Sequence, residues 1–362
     1  MTMTARVQAT AMSHLAATPW QQGKIRLVCS ARWQETADVV SFRFRAVEPV
    51  TFLFKPGQFL IFHLDIGGEL LHRAYTIASS PSRPHSLMVT IKRVPGGKVS
   101  NYLLDHLQPG HRLQASGPHG DFNLIDIPAE RYLFLSAGCG ITPIYSMSRF
   151  LTDTQGSEAD ICCIHSARSR EDMIFHDGLS AMAQHHKGFS LGLLLQHEAP
   201  SSKSPLSTWH SGHLDVQKLT ALAPDFHDRT VYVCGPERFM AATRRLFATV
   251  GFDMCNYHQE SFTGNLPSPT GTSMGNDYGL RVDAHSTRLA AEQTLLDGIE
   301  SMQLPIIAAC RSGVCGACKC KVVKGHVASS STQTLTAKEI AQGMVLACSS
   351  TPLSDVELLL TL

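Results

Sequence analysis

Cys310, Cys315 and Cys318 form a Cys-x4-Cys-x2-Cys run with Gly313 and Gly316 between them, and Cys348 follows much later. Four thiolates are what the two irons of a [2Fe-2S] cluster need, two soft ligands each, and this is a spacing such clusters use. The glycines let the backbone curl tightly, so that its N–H groups face sulfur. Zinc is the main competing chemistry, but zinc modules usually pair two Cys-x2-Cys or Cys/His units, and one such unit is present. A structural zinc site and a redox dithiol are the alternative readings. Cys320 lies close by, yet it falls on the apparent strand Lys319–Val323, whose alternation turns it away from the ligand loop. Cys348 comes after the capping-box signature Thr336-x-x-Glu339 and the strand-like Met344–Ala347.

A second group is Arg73-Ala74-Tyr75-Thr76, which follows an apparent strand and leads into Ala78-Ser79-Ser80-Pro81. Arg can take a pyrophosphate with two hydrogen bonds, Tyr can pack flat on an isoalloxazine or ribityl group, and Thr can bond a ring nitrogen. Alone, an Arg beside a strand Tyr is ordinary packing. The stretch Gly96-Gly97-Lys98-Val99-Ser100 adds to it, because glycines there open a helix whose free N–H groups suit a phosphate. Gly117-Pro118-His119-Gly120-Asp121-Phe122 then reads as the closing turn of the same barrel. In this order the set points to a flavin, with a purely structural barrel as the alternative.

A third group is Ala137-Gly138-Cys139-Gly140-Ile141-Thr142-Pro143, directly after the apolar run Arg131–Ser136. Glycines after a strand let the backbone approach a pyrophosphate, and Pro143 has its φ preset for a first helical turn. Cys234-Gly235-Pro236, after Thr230–Val233, is either a second nicotinamide landmark or a simple turn with Cys234 as buried filler. Arg168 and Arg170, in the stretch His165–Arg170, are cations that can hold a 2′-phosphate, but Glu171 and Asp172 stand beside them. A solvated mixed-charge loop is the preferred reading there. NADH is therefore expected, and NADPH stays open.

Holding three such groups takes several domains, and 362 residues supply about two to three at ~100–200 residues each. Short runs rich in Val, Ile, Phe and Thr, such as Val39–Arg45, Phe59–Leu64 and Leu87–Arg93, indicate an all-β module. Arg131–Ser136, Ala159–His165, Phe189–Gln196 and Thr230–Cys234 alternate with helical stretches, as βαβ units on a parallel sheet do. Thr263–Asp277 is dense in Gly, Pro, Ser, Thr and Asn and reads as a linker. The expected division is a disordered extension over 1–20, a β-barrel over 21–127, an α/β domain over 128–262, the linker over 263–277 and a cysteine module over 278–362. With 31 Lys and Arg against 30 Asp and Glu, no net field draws nucleic acid or an anionic membrane. No apolar run is long enough to span a bilayer. Eleven cysteines, an odd count with no secretory signal, fit a reducing compartment, here the cytoplasm.

Arg-x-Tyr-Thr, Gly-Gly-x-x-Ser, Gly-x-Gly-Ile-Thr-Pro, Cys-Gly-Pro and a C-terminal four-cysteine module, in that order, resemble the ferredoxin–NADP reductase superfamily. The resemblance is to its iron–sulfur flavoenzyme branch, in which a plant-type ferredoxin is fused behind the reductase. Ala137–Met147, Ala308–Gly325 and Ser329–Ser349 carry most of it, and it covers nearly everything after Trp20. Reductases serving the hybrid-cluster protein are the most similar branch members, and reductases of Rieske-type oxygenases share the same parts in the same order.

The resemblance implies an FAD-binding antiparallel β-barrel, a nucleotide-binding parallel α/β sheet and a C-terminal β-grasp ferredoxin. Arg73, Ala74, Tyr75 and Thr76 would bind the flavin, with Gly97, Val99 and Ser100 at its phosphates. FAD is implied rather than FMN, because the Gly-Gly-x-x-Ser segment supplies a second phosphate contact. Gly138, Gly140, Thr142 and Pro143 would hold the dinucleotide's pyrophosphate, with Ser166 and Arg168 further along it and Cys234, Gly235 and Pro236 beside the nicotinamide. The Glu260-Ser261-Phe262 segment would close over the flavin ring, which puts Tyr75, Thr76, Cys234 and Glu260 at the reacting centre. Cys310, Cys315, Cys318 and Cys348 would hold the cluster. The implied enzyme is an NADH-dependent oxidoreductase in which the flavin takes a hydride and releases single electrons through the cluster to a redox protein. The hybrid-cluster protein is the main reading for that acceptor and a Rieske-type oxygenase the alternative. A non-catalytic carrier or sensor is a third reading, opposed by the two nicotinamide landmarks.

Overall fold

A computed structural model describes residues 18–197, 208–262, 277–306, 313, 316–332 and 334–360. The expected extension and linker lie outside these residues except at their ends, as do Cys310 and Cys315. Thr18–Trp20 is not part of an extension. It is a short strand paired with Val50–Phe52, held there because the buried Trp20 ring meets Phe52 edge-on at 5.7 Å. The chain forms two compact units: the residues up to Leu71 with Tyr75–Glu260 make one, and the residues from Ser261 onward, grouped with His72–Ala74, make the other.

The first unit opens with strands β1 (Lys24–Thr36), β2 (Val39–Ala46), β3 (Phe59–Ile66), β4 (Glu69–Thr76), β5 (Leu87–Lys92) and β6 (Arg112–His119). They lie in the order β4-β3-β6-β1-β2-β5. Alternation along β1 turns Ile25, Leu27 and Cys29 inward and leaves Lys24 and Arg26 in solvent. A bridge between Ile77, just past β4, and Val89 of β5 joins the two ends of the sheet and closes it. Phe42, Phe44, Phe62 and Leu60 fill the interior, each fully buried and contributing about 1.5–3 kcal/mol relative to exposure. Helix α1 (Lys98–His106) sends Leu103 and Leu104 into the same core.

The rest of this unit is a parallel sheet of β7 (Arg131–Ala137), β8 (Asp160–Ala167), β9 (Phe189–Leu195), β10 (Thr208–Ser211), β11 (Thr230–Cys234) and β12 (Tyr257–Glu260). Its order is β10-β9-β8-β7-β11-β12. Both faces are covered, which explains the unbroken apolar runs of the central strands. Helices α2 (Ile141–Gln155) and α3 (His176–His185) pack on one face through Ile144, Met147, Leu179 and Met182. Helices α4 (Val216–Leu222) and α5 (Glu237–Thr249) pack on the other through Leu219, Met240 and Phe247. The chain winds outward from β7 to β10 and then crosses back to β11, so the direction reverses between β7 and β11. Ligands of open α/β sheets bind beyond the carboxyl ends of strands at such a reversal.

The second unit is a mixed sheet of β13 (Asp277–Val282), β14 (His285–Ala290), β15 (Lys319–Lys324), β16 (Met344–Leu346) and β17 (Val356–Leu360), in the order β14-β13-β17-β15-β16. Helix α6 (Leu295–Ser301) lies against it through Leu295, Leu296 and Ile299. The short helix α7 (Ala337–Ala341) starts at the expected capping box, with Thr336 accepting from Glu339 N and the Glu339 carboxylate accepting from Thr336 N. The mixed sheet with a crossing helix is the β-grasp ferredoxin arrangement the sequence implies.

Candidate electron-transfer centres

Arg73, Ala74, Tyr75 and Thr76 occupy the end of β4, beside β3. The Tyr75 ring lies 5.2 Å from Phe62 and the Thr76 hydroxyl is on a buried residue, so barrel packing fixes the end of the strand. Arg73 Nη1 donates to His72 O at 2.7 Å. Helix α1 opens at Gly97 with no side-chain cap. By contrast α4, α6 and α7 are capped by Asp215, Thr294 and Thr336. The uncapped N–H groups of α1 are orphans that a phosphate can satisfy. Gly97 leaves no Cβ in the way; one placed there would stand 2.7 Å from Ser100 Oγ. Val99 is buried, so its backbone N–H is what can face a phosphate, and Ser100 Oγ accepts from Val94 N at 3.3 Å. The donor set therefore fits a pyrophosphate-bearing flavin.

At the carboxyl ends of β7 and β11 the two nicotinamide landmarks form one rim. A Cβ on Gly140 would collide with the carbonyl oxygen of Cys234, so glycine is required for this close approach. Gly138 takes φ 51°, a left-handed conformation that glycine tolerates. Thr142 Oγ1 donates to Cys139 O at 2.9 Å, and Pro143 sits in the first turn of α2. Neither α2, entered at Gly140, nor α5, entered at Pro236, has a side-chain cap, so two sets of N–H groups face this rim. Gly235 approaches Ala137 so closely that a Cβ would lie 3.2 Å from its backbone N.

The strand registers align Glu260 with Cys234, Cys234 with Ser136, and Ser136 with His165, a polar row across one face of the sheet. Ser136 Oγ and His165 Nδ1 are 2.9 Å apart, and His165 Nε2 is buried with no partner. Burial first, and the Glu260 carboxylate second, push the Cys234 thiol well above its ordinary range. Cys234 is thus a neutral wall rather than a thiolate nucleophile.

Ser166 is buried at the end of β8, and Arg168 follows just beyond it. Arg168 Nη2 donates to Asp172 Oδ1 at 2.9 Å and stands 4.0 Å from Asp38 Oδ2. Asp38 belongs to the β1–β2 turn and also pairs with Lys92 at 3.4 Å. Arg170 lies over the Trp209 ring at 4.6 Å. A cavity of about 610 Å³ opens nearby between the barrel and α2–α3, lined by Trp33, Arg43, Arg83, Tyr145, Arg170 and Phe175. None of the residues that the sequence assigns to flavin or pyrophosphate lines it. Its size therefore does not make it the reaction site.

In the second unit Cys318 Sγ and Cys348 Sγ lie 3.2 Å apart. Gly313 N donates to Cys348 Sγ at 3.2 Å and Cys348 N to Cys318 Sγ at 3.4 Å. Two soft thiols meeting under backbone N–H groups fit a pair of ligands to one iron of a [2Fe-2S] cluster. Gly313 takes φ 73°, and a Cβ there would stand 2.6 Å from Ser349 Oγ. Cys320 is fully buried in the sheet core, in register with Val345 and Leu360, and burial pushes its thiol up to about 12. Cys310 and Cys315, the other two expected ligands, fall outside the described residues.

A closed barrel with a phosphate-ready helix, a parallel sheet with a glycine rim and a thiolate cradle in one chain define an iron–sulfur flavoprotein reductase. Residues 26–124 match the oxidoreductase FAD-binding domain, 134–245 the oxidoreductase NAD-binding domain and 281–353 the 2Fe-2S iron-sulfur cluster binding domain. The chain belongs to the iron–sulfur branch of the ferredoxin–NADP reductase superfamily, an NAD(P)H-dependent oxidoreductase moving electrons through FAD and a [2Fe-2S] cluster. The glycine betaine monooxygenase reductase subunit of Pseudomonas aeruginosa is 38% identical over 93% of this chain and 95% of its own. The NADH oxidoreductase HCR of Escherichia coli is 33% identical over 84% of this chain and 88% of its own. The solved structure of phthalate dioxygenase reductase, 22% identical, shares the fold with a TM-score of 0.60 over 94% of this chain and 98% of that one. The higher identity to a monooxygenase reductase subunit shifts the weight from the hybrid-cluster reading to the oxygenase alternative.

Sequence reasoning did not find Asp38 or Lys92 beside the glycine rim. No spacing signal joins a hairpin turn of the barrel to the end of β8; only the tertiary fold does.

Proposed function

We propose that this chain oxidises NADH and delivers the electrons to the oxygenase component of a monooxygenase system. The full-length likeness to a monooxygenase reductase subunit carries the choice of acceptor. When bound, the flavin accepts two electrons as hydride and releases them singly, which matches what an iron–sulfur cluster can accept. The chain's own residues place and tune these groups. Arg73 and the α1 N-terminus offset pyrophosphate charge, Tyr75 and Thr76 orient the ring, and Gly138, Gly140 and Thr142 seat the dinucleotide. Cys234, with Gly235 and Pro236, walls the nicotinamide, and Glu260 is the buried carboxylate beside it. Cys310, Cys315, Cys318 and Cys348 hold the cluster. Thiolate ligands of this kind suit a reducing compartment such as the cytoplasm. Among the described residues no helix is long and apolar enough to cross a membrane.

The test is reconstitution of the holoprotein with NADH and either an oxygenase component or a hybrid-cluster protein, following acceptor reduction by absorbance. NADH-driven reduction of the oxygenase component is expected. Reduction of the hybrid-cluster protein alone would overturn the assignment.

A further inference from the structure

We propose that Asp38, a residue of the flavin barrel, determines nucleotide choice: with Asp172 it holds Arg168 away from a 2′-phosphate and so selects NADH over NADPH. This rests on reading the β7–β11 rim as the dinucleotide site. Asp38 is fixed where it stands. Thr36 Oγ1 donates to its carboxylate at 3.0 Å, and Arg93 N donates to its carbonyl at 2.7 Å, tying the hairpin turn to the end of β5. Burial opposes ionisation, but the Thr36 hydroxyl, Lys92 and Arg168 together keep the Asp38 carboxyl below its ordinary range. The turn lies beside the glycine rim, since the Cys139 thiol there, raised by burial, also feels Lys92 and Asp38.

The two arginines past β8 are the cations a 2′-phosphate would use, and both are engaged. Arg168 sits between two carboxylates, 2.9 Å from Asp172 and 4.0 Å from Asp38, while Arg170 is stacked on an indole. Locally Lys92 and Arg168 are balanced by Asp38 and Asp172. A phosphate carrying about −1.5 to −2 charge meets no net attraction there and must break an ion pair to gain one. A ribose 2′-hydroxyl loses nothing, because a carboxylate accepts a hydrogen bond from it. Both effects have the same sign.

The experiment uses the holoprotein and the isosteric variants Asp38→Asn and Asp172→Asn, alone and combined. Two quantities are read: the NADPH/NADH ratio of kcat/KM, and the affinity for adenosine 2′,5′-bisphosphate relative to 5′-AMP in competition with NAD⁺. Each single variant should raise both, and the pair by about tenfold, the scale set by removing nearby carboxylates from a multiply charged phosphate in a solvent-exposed site. Adding Arg168→Gln to the pair should cancel the gain, since the freed cation would be its source. An unchanged ratio and unchanged relative affinity in Asp38→Asn would refute the role of Asp38, whatever Asp172→Asn does, as would a wild type that prefers NADPH. A wild type that neither binds nor oxidises NADH would instead sink the placement of the nucleotide at this rim.

Discussion

Two cysteines with opposite surroundings separate ligand from filler at the residue scale. Cys348 lies beside Cys318 under a backbone N–H, whereas Cys320 packs against the strand partners of β15. Cys348→Ser should therefore bleach the cluster's visible absorbance and remove its electron paramagnetic resonance signal, with Cys320→Ser leaving the signal in place. The reverse pattern would refute the assignment. His165 supplies a second test. Burial pushes its pKa down to about 4, from an ordinary 6.5. Between those values the unfolded chain is protonated there and the folded chain is not, so stability is whole above pH 6.5 and falls as pH drops toward 4. The loss amounts to about 3 kcal/mol at most. Urea midpoints measured across this window should fall more steeply for the wild type than for His165→Gln; parallel curves would show that the buried imidazole does not set acid lability.

The elements that carry chemistry were legible where their pattern was their own. The central strands β7, β8, β9 and β11 are buried on both faces and read as apolar runs, with ends within a residue or two of expectation. The capping box before α7 and the glycine opening of α1 are local signals and were found in place. By contrast β10 and β12 are four-residue edge strands, half exposed or mixed in burial, and their neighbours define them more than their composition does. The meeting of Gly140 with Cys234 was equally illegible, because each motif alone is a plausible turn. It makes a sharp prediction nonetheless. Gly140→Ala must push the α2 entry away from β11, costing about 1–3 kcal/mol of stability by overpacking. It should weaken NADH binding at least tenfold, measured by titration. Retained affinity would mean that the rim is not where the nucleotide lies.

At the scale of the whole molecule, each hydrophobic cluster among the described residues stays within one unit. One runs from Leu280 to Leu358 within the second unit, and the other clusters draw only on residues Trp20 to Tyr257. Each unit has a core of its own, so calorimetry of the holoprotein should resolve two unfolding transitions, with chelation of iron lowering only one. A single cooperative transition that shifts as a whole on iron removal would contradict this. The hairpin turn bearing Asp38 has a different kind of consequence. If the acid that helps choose the nucleotide rides on the barrel, nucleotide preference is not inherited with the nucleotide-binding half alone. A chimera joining this half to a barrel with no acid at that turn would lack one of the two carboxylates around Arg168, and recombination between such enzymes would carry the preference whole only where both halves travel together.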